Sequence, residues 1–196
     1  MNSHPVQFSV RPRGAVARVQ VVIRLVLLAA ISVVGCASIY WILYLGLPAV
    51  VAALVVSKGQ GWYLMEGAPR LVRGLRWLAA AYAYLWLLTD ELPSSANAGA
   101  ARLNIVVDGT PTAGSSLLRL VYSLPALLLA AVLSVAAALV WLLAAVAILI
   151  SERMPVALGD FLTLTLRYQA RLMAYHLSLV NRYPSLAEPA AMPAAI

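Results

Sequence analysis

The sequence predicts an all-α integral membrane protein with a minor β element, built as two tandem repeats. Three observations lead there. Hydrophobic residues make up 63% of the chain and charged residues 11%, against roughly 25% charged in a soluble domain. Two long runs are nearly free of charge: residues 19–56 hold only Arg24, and residues 120–150 hold none. Each exceeds the ~20 apolar residues that cross a bilayer core. Finally, the second half restates the first. Leu75-Arg76-Trp77, Ala83-Tyr84 and Pro93-Ser94 are answered in one register by Leu166-Arg167-Tyr168, Ala174-Tyr175 and Pro184-Ser185. Upstream, Arg24-Leu25-Val26 is answered by Arg119-Leu120-Val121, and residues 6–10 by residues 103–107. Repeat 1 is read as residues 1–96, repeat 2 as 97–186, and 187–196 as an extended Pro- and Ala-rich tail.

Each repeat starts with a strand. Residues 6–10 alternate polar and apolar, and residues 103–107 run into the turn Asp108-Gly109-Thr110-Pro111, a strand signature. Two short strands are expected to pair, since neither is stable alone. Paired strands put both repeats on one side of the membrane, so each repeat crosses an even number of times. The apolar run that follows is either a helical hairpin or one long kinked helix. A single helix would make the following amphipathic segment the return crossing, with Arg167 and Arg171 near mid-bilayer at about 2.5–3.5 kcal/mol each. That cost favours hairpins, with a turn near Gly35 to Ser38 under Tyr40, Trp41 and Tyr44, and a shallow second hairpin. Residues 134–139 offer no turn signal. Pro48 and Pro125 are expected to kink helices. Ala130, Ser134 and Ala138 form a small-residue row suited to helix packing, and residues 97–101 form a linker.

The third part of each repeat is a basic amphipathic helix. In the second, Asp160, Thr163, Arg167, Arg171, Ser178 and Asn181 share one stripe, the pattern of a helix lying in the headgroup layer. Arg70, Arg73 and Arg76 recur at i, i+3, i+6 in the first. Arginine pairs bidentately with phosphate, so Arg70, Arg73, Arg76, Arg167 and Arg171 are the candidate lipid-headgroup residues. The chain carries thirteen Arg and one Lys against seven acids. The basic, acid-free N-terminal segment points to N- and C-termini in the cytoplasm of a multi-pass bacterial inner-membrane protein. Nucleic-acid binding is set aside, because no basic soluble domain remains once the spans are removed.

Little reactive chemistry is present. Cys36 is alone, and although basic residues, an apolar stretch and Gly35-Cys36 resemble a lipoprotein signal, the membrane-like segment that follows argues for a helix. His4 reads as a solvated terminal residue and His176 as an interfacial one. Asp90-Glu91 reads as a helix-end cap or an Arg partner. No catalytic set, metal site or cofactor is expected, and the chain is not read as an enzyme. The expected role is a non-catalytic accessory or scaffold subunit that meets membrane lipids and either other integral membrane proteins or its own copies. A small oligomeric transporter or channel is the alternative.

The segment from Leu75-Arg76-Trp77 through Ala83-Tyr84 to Leu87-Leu88-Thr89-Asp90-Glu91-Leu92-Pro93 resembles the hallmark of a bacterial membrane family, catalogued as domain of unknown function 4389. Its members carry a similar Leu-Arg-Trp, Ala-Tyr and Leu-Leu-Thr-Asp-Glu-Tyr-Pro series after a long apolar run. The resemblance covers nearly the whole chain as two copies. The first is close, with Leu92 in place of the family's Tyr. The second is degenerate: Val180-Asn181-Arg182-Tyr183-Pro184 keeps Tyr and Pro but loses the acids. The resemblance implies no activity.

Overall fold

A computed structural model describes residues 4–11, 18–33, 36–92 and 100–186, without the side chains of 29–33 and 36–45. The expected linker residues 97–99, the tail 187–196, the turn residues 34–35 and the side chains of Cys36, Tyr40, Trp41 and Tyr44 lie outside that description. The chain is mostly helical with one two-stranded sheet. In order it forms β1 (Val6–Val10), α1 (Arg18–Val33), α2 (Cys36–Lys58), α3 (Gln60–Trp62), a π-helical turn (Tyr63–Gly67) and α4 (Ala68–Leu85). Then come β2 (Ala101–Ile105), α5 (Ala113–Tyr122), α6 (Leu124–Ser151) and α7 (Val156–His176).

The two strands pair, as the alternation predicts, in an antiparallel ribbon with Phe8 opposite Leu103 and Val6 opposite Ile105. The second strand is Ala101–Ile105 rather than 103–107. Pairing decides this. The Val106 amide donates to Pro5 at 2.9 Å, and beyond it the Asp108 and Gly109 amides turn away to Leu179. Side chains alternate by period two, so Val6, Phe8, Leu103 and Ile105 are buried on one face. α4 packs on β2, α7 packs on β1, and the two helices touch each other. Each half of the chain therefore lays its late helix on the strand of the other half.

The second apolar run is a single helix, not a shallow hairpin. α6 has 28 residues, about 42 Å at 1.5 Å per residue, more than a ~30 Å hydrocarbon core. With no Gly, Pro or charge in residues 134–139, nothing breaks the i to i−4 ladder. Pro125 sits in the first turn of α6, where its missing N–H is not needed, so it starts the helix instead of kinking it. Pro48 lies inside α2. Among the described residues, α6 is the helix that is long and apolar enough to cross a membrane. It packs antiparallel along α7. Tyr168 and Leu172 of α7 close over Ala126, Leu127 and Ala130, each large apolar side chain contributing on the order of 1.5–3 kcal/mol.

α7 is not an interfacial helix with a basic face turned outward. Most of its length is buried between α6, α4 and the ribbon, and Arg171 itself is buried. Of the polar stripe read from the sequence, Arg167 and Arg171 turn toward the ribbon, Ser178 meets Ser116 of α5, and only the ends, Asp160 and Asn181, stay exposed.

Candidate functional site

Arg76, Arg167 and Arg171 act on the ribbon. In an antiparallel pair, hydrogen-bonded and non-hydrogen-bonded residue pairs alternate. The Arg11 amide donates to Ala100 and the Val106 amide to Pro5, so Phe8–Leu103 and Val6–Ile105 are non-hydrogen-bonded pairs. Their carbonyls point to the outer edges, where an unpaired strand is a liability. Arg167 Nε donates to Phe8 O at 3.1 Å, and Arg76 Nε donates to Leu103 O at 3.1 Å. Arg171 adds Nε to Val6 O at 3.4 Å and Nη1 to Ser185 O at 2.5 Å. Both edges are closed by arginines from the overlying helices. Three of the five candidate headgroup residues thus bind the chain's own backbone.

Arg70 and Arg73 differ. Both are exposed on α4, and Arg70 Nη2 meets Glu66 Oε2 at 3.1 Å across one helical turn. In the small-residue row, Ala130 is buried against α7 and Ser134 Oγ accepts from Gln169 Nε2 at 3.1 Å. Those two positions serve packing within the chain, while Ala138 is exposed.

Arg24 and Arg119 are not among the five candidate headgroup residues, although their segments match each other in the sequence. Both guanidiniums are buried, and their settings are alike. Arg24 lies 4.2 Å over the Tyr84 ring, and its Nη2 donates to Thr89 O at 2.8 Å and to Asp90 Oδ1 at 2.6 Å. Arg119 lies 4.5 Å over the Tyr175 ring. Its Nη1 donates to Tyr175 O at 2.8 Å and Val180 O at 2.6 Å, and its Nη2 to Asn181 Oδ1 at 2.8 Å. A cation at a helix C-terminus opposes the exposed carbonyl dipoles, and a ring face adds cation–π attraction.

The helix ends held by these arginines also match. After α4, Leu88 N–H reaches back to Ala83 O and Leu87 takes a φ of 63°. After α7, Leu179 N–H reaches back to Ala174 O and Ser178 takes a φ of 53°. Both are six-to-one closures with a left-handed residue. Neither left-handed residue is glycine, a strain of order 1 kcal/mol that the surrounding bonds hold in place. The second end is braced further: Gly109 N–H donates to Leu179 O at 3.0 Å, and a Cβ on Gly109 would fall 2.0 Å from Ser178 O. Tyr63, buried in the π-helical turn, donates its hydroxyl to Leu177 O, and burial pushes its pKa well above the ordinary value. Burial lowers the pKa of Arg119, while nearby Tyr175, Tyr63 and Asp108 oppose that shift. A guanidinium keeps its charge throughout.

The acidic pair reads as a structural group. Asp90 is the partner of Arg24, and Glu91 Oε2 accepts from the Ala100 amide at 2.8 Å. His4 is not solvated: it is buried at the start of β1, and its Nδ1 accepts from Val6 N–H at 3.1 Å. His176 is fully buried too, not interfacial. Among the described residues no group of three or more His, Cys, Asp or Glu side chains could hold a metal ion. A small apolar cavity between α4, α7 and β2 is lined by Leu75, Ala79, Leu103, Leu166 and Ala170. Tyr82 and Gln169 are the polar side chains of its lining, which holds no acid, histidine, cysteine or cation.

Residues 114–187 match the model of the family described as domain of unknown function 4389, which supports membership of that family. The matched stretch is the second half, not the first half that carries the closer copy of the hallmark series. No curated protein and no solved structure matches the chain.

Proposed function

We propose that this chain is a non-catalytic membrane-embedded accessory or scaffold subunit, built from two copies of one module and seated in a bacterial inner membrane beside a larger membrane protein. The observation that carries the reading is the outward face of α6. Leu128, Val132, Val135, Leu139, Leu143, Val146 and Ile150 are all exposed along it. An apolar ridge of that length is unfavourable in water and is covered either by lipid or by protein. α1 and α5 extend it: Val22, Ile23, Val26 and Leu27 are exposed on one, and Leu117, Leu118, Val121 and Tyr122 on the other.

The matched arginine settings, helix ends and edge caps support two copies of one module. The paired strands support both modules starting at one membrane face. The arginines of α7 raise no mid-bilayer penalty in this arrangement, because the ribbon carbonyls and protein side chains surround them rather than lipid.

The test places a photo-crosslinking residue at Val132, Val135 or Leu139 of the full chain in native membranes. A protein adduct of fixed mass from at least one position is expected, larger than a second copy of this chain would make. Adducts with lipid alone at all three positions overturn the accessory role. Release of the unmodified chain by alkaline carbonate overturns the membrane embedding itself.

A further inference from the structure

The structure divides the five basic candidates by direction, and that division identifies a surface. Arg76, Arg167 and Arg171 point inward to carbonyls, as described above. Arg70 and Arg73 point outward from α4, on a stripe that continues one turn later to Trp77, which is 51% exposed. One turn earlier Met65 is 82% exposed. At the head of the stripe Lys58 Nζ lies 4.1 Å over the Trp62 ring. Three cations stand here against one acid, Glu66, and they alternate with two indoles and a flexible apolar side chain. Indoles favour the level where hydrocarbon meets headgroups. Arginine and lysine beside them meet the negative potential of an anionic leaflet, worth roughly fivefold in affinity for each basic residue near the surface. Net positive charge opposes a cationic face as the occupant and complements an anionic one, and the exposed Trp77 indole is poorly suited to bulk water.

We infer that the stripe of Lys58, Trp62, Met65, Arg70, Arg73 and Trp77 docks on the phosphate layer of an anionic bilayer. This rests on the membrane-embedded reading and adds which side of α4 meets the headgroups. Arg73 and Arg70 bind the lipid phosphates, Trp62 and Trp77 sit at the glycerol level, and Met65 dips into the acyl boundary. The stripe then fixes how deep the molecule sits, since it cannot follow α6 into hydrocarbon.

The experiment uses the full chain purified in mild detergent and titrated with phosphatidylglycerol or phosphatidylcholine, with retained lipids counted by native mass spectrometry. Preference for phosphatidylglycerol is expected, weakening as salt rises. Arg70→Gln with Arg73→Gln is expected to reduce that preference about tenfold or more. Arg70→Lys with Arg73→Lys keeps most of it and controls for folding, and Arg102→Gln on exposed β2 leaves it unchanged. Equal retention of the two lipids by the unaltered chain, or an undiminished preference in the double glutamine variant, overturns the inference. In either case the unaltered chain still resists carbonate extraction if the membrane-embedded reading holds, so the two failures are told apart.

Discussion

The two buried arginines do the same mechanical task with different electrostatics. Arg24 ends on a carboxylate, Asp90, that is partly exposed at 38% of its side chain. Arg119 ends on an amide, Asn181, and two backbone carbonyls. Asp108 acts on Arg119 through space and is tied to it by hydrogen bonds through Asn181, whose backbone N–H donates to Asp108 Oδ1 at 3.1 Å and whose Nδ2 donates to Asp108 O at 3.1 Å. One setting is a direct ion pair. The other is a relay in which the negative charge sits one residue further out. A buried cation thus does not require a carboxylate in contact when enough oriented carbonyl dipoles surround it.

The comparison makes its largest demand at the arginines themselves. Arg119→Met strands the buried Val180 carbonyl, takes one donor from Tyr175 O, which keeps the Ser178 N–H, and takes one from Asn181 Oδ1, so about 3–4 kcal/mol of stability is expected to go. Arg24→Met strands one carbonyl and frees a carboxylate already partly wet, for about 2–3 kcal/mol. Thermal unfolding of both variants in the same detergent checks the order. Equal losses would mean that the extra carbonyl contact at Arg119 contributes nothing.

A charge exchange sharpens the point with a smaller effect. Asp90→Asn converts the first setting into a copy of the second without its outer acid, and about 1.5–3 kcal/mol is expected to be lost. Asn181→Asp alone brings a second carboxylate beside Asp108 and removes the Nδ2 donor, so little gain is expected. Combined with Asp108→Asn it becomes favourable, with a coupling of about 1 kcal/mol or more in a double-mutant cycle. Strict additivity of the two changes breaks the relay account.

The smallest effect concerns His4, buried at the start of β1. Burial first, then Arg171 and Arg182, lower its pKa below the ordinary 6.5, while a backbone hydrogen bond with Tyr183 opposes them. The unfolded chain therefore takes up a proton near pH 6.5 and the folded chain only at lower pH. The stability from a neutral His4 is complete above about pH 6.5 and declines as the pH falls from there toward the lowered folded value. Unfolding midpoints measured from pH 7.5 to 5 should show this decline, and His4→Leu should flatten it. An unchanged slope in the variant assigns the acid sensitivity elsewhere.

Several features were legible without coordinates because they depend on local chemistry. Alternation at Val6, Phe8, Leu103 and Ile105 marks strands, and exposed strand groups must pair. Unbroken apolar residues from Leu124 to Ile150 make a helix of spanning length. Matched segments around Arg24 and Arg119, and around Arg76 and Arg167, announced positions that serve alike. Other assignments failed for a physical reason. Arg171 and His4 looked outward because charge and polarity usually do, and only the ribbon carbonyls and α7 decide that they are enclosed. The small-residue row names no partner helix by itself, and the tertiary fold sets Tyr168, Leu172 and Gln169 of α7 against Ala130 and Ser134.

Composition, apolar run length and strand alternation were thus determined by the sequence alone, since each follows from how one segment meets water, lipid or its own backbone. Which strand each late helix covers, which arginines face carbonyls and which face out, and whether Asp90 or Asn181 answers a buried cation were decided in three dimensions. Those outcomes depend on hydrogen-bond partners 27 to 165 residues away, a distance over which no local pattern carries information.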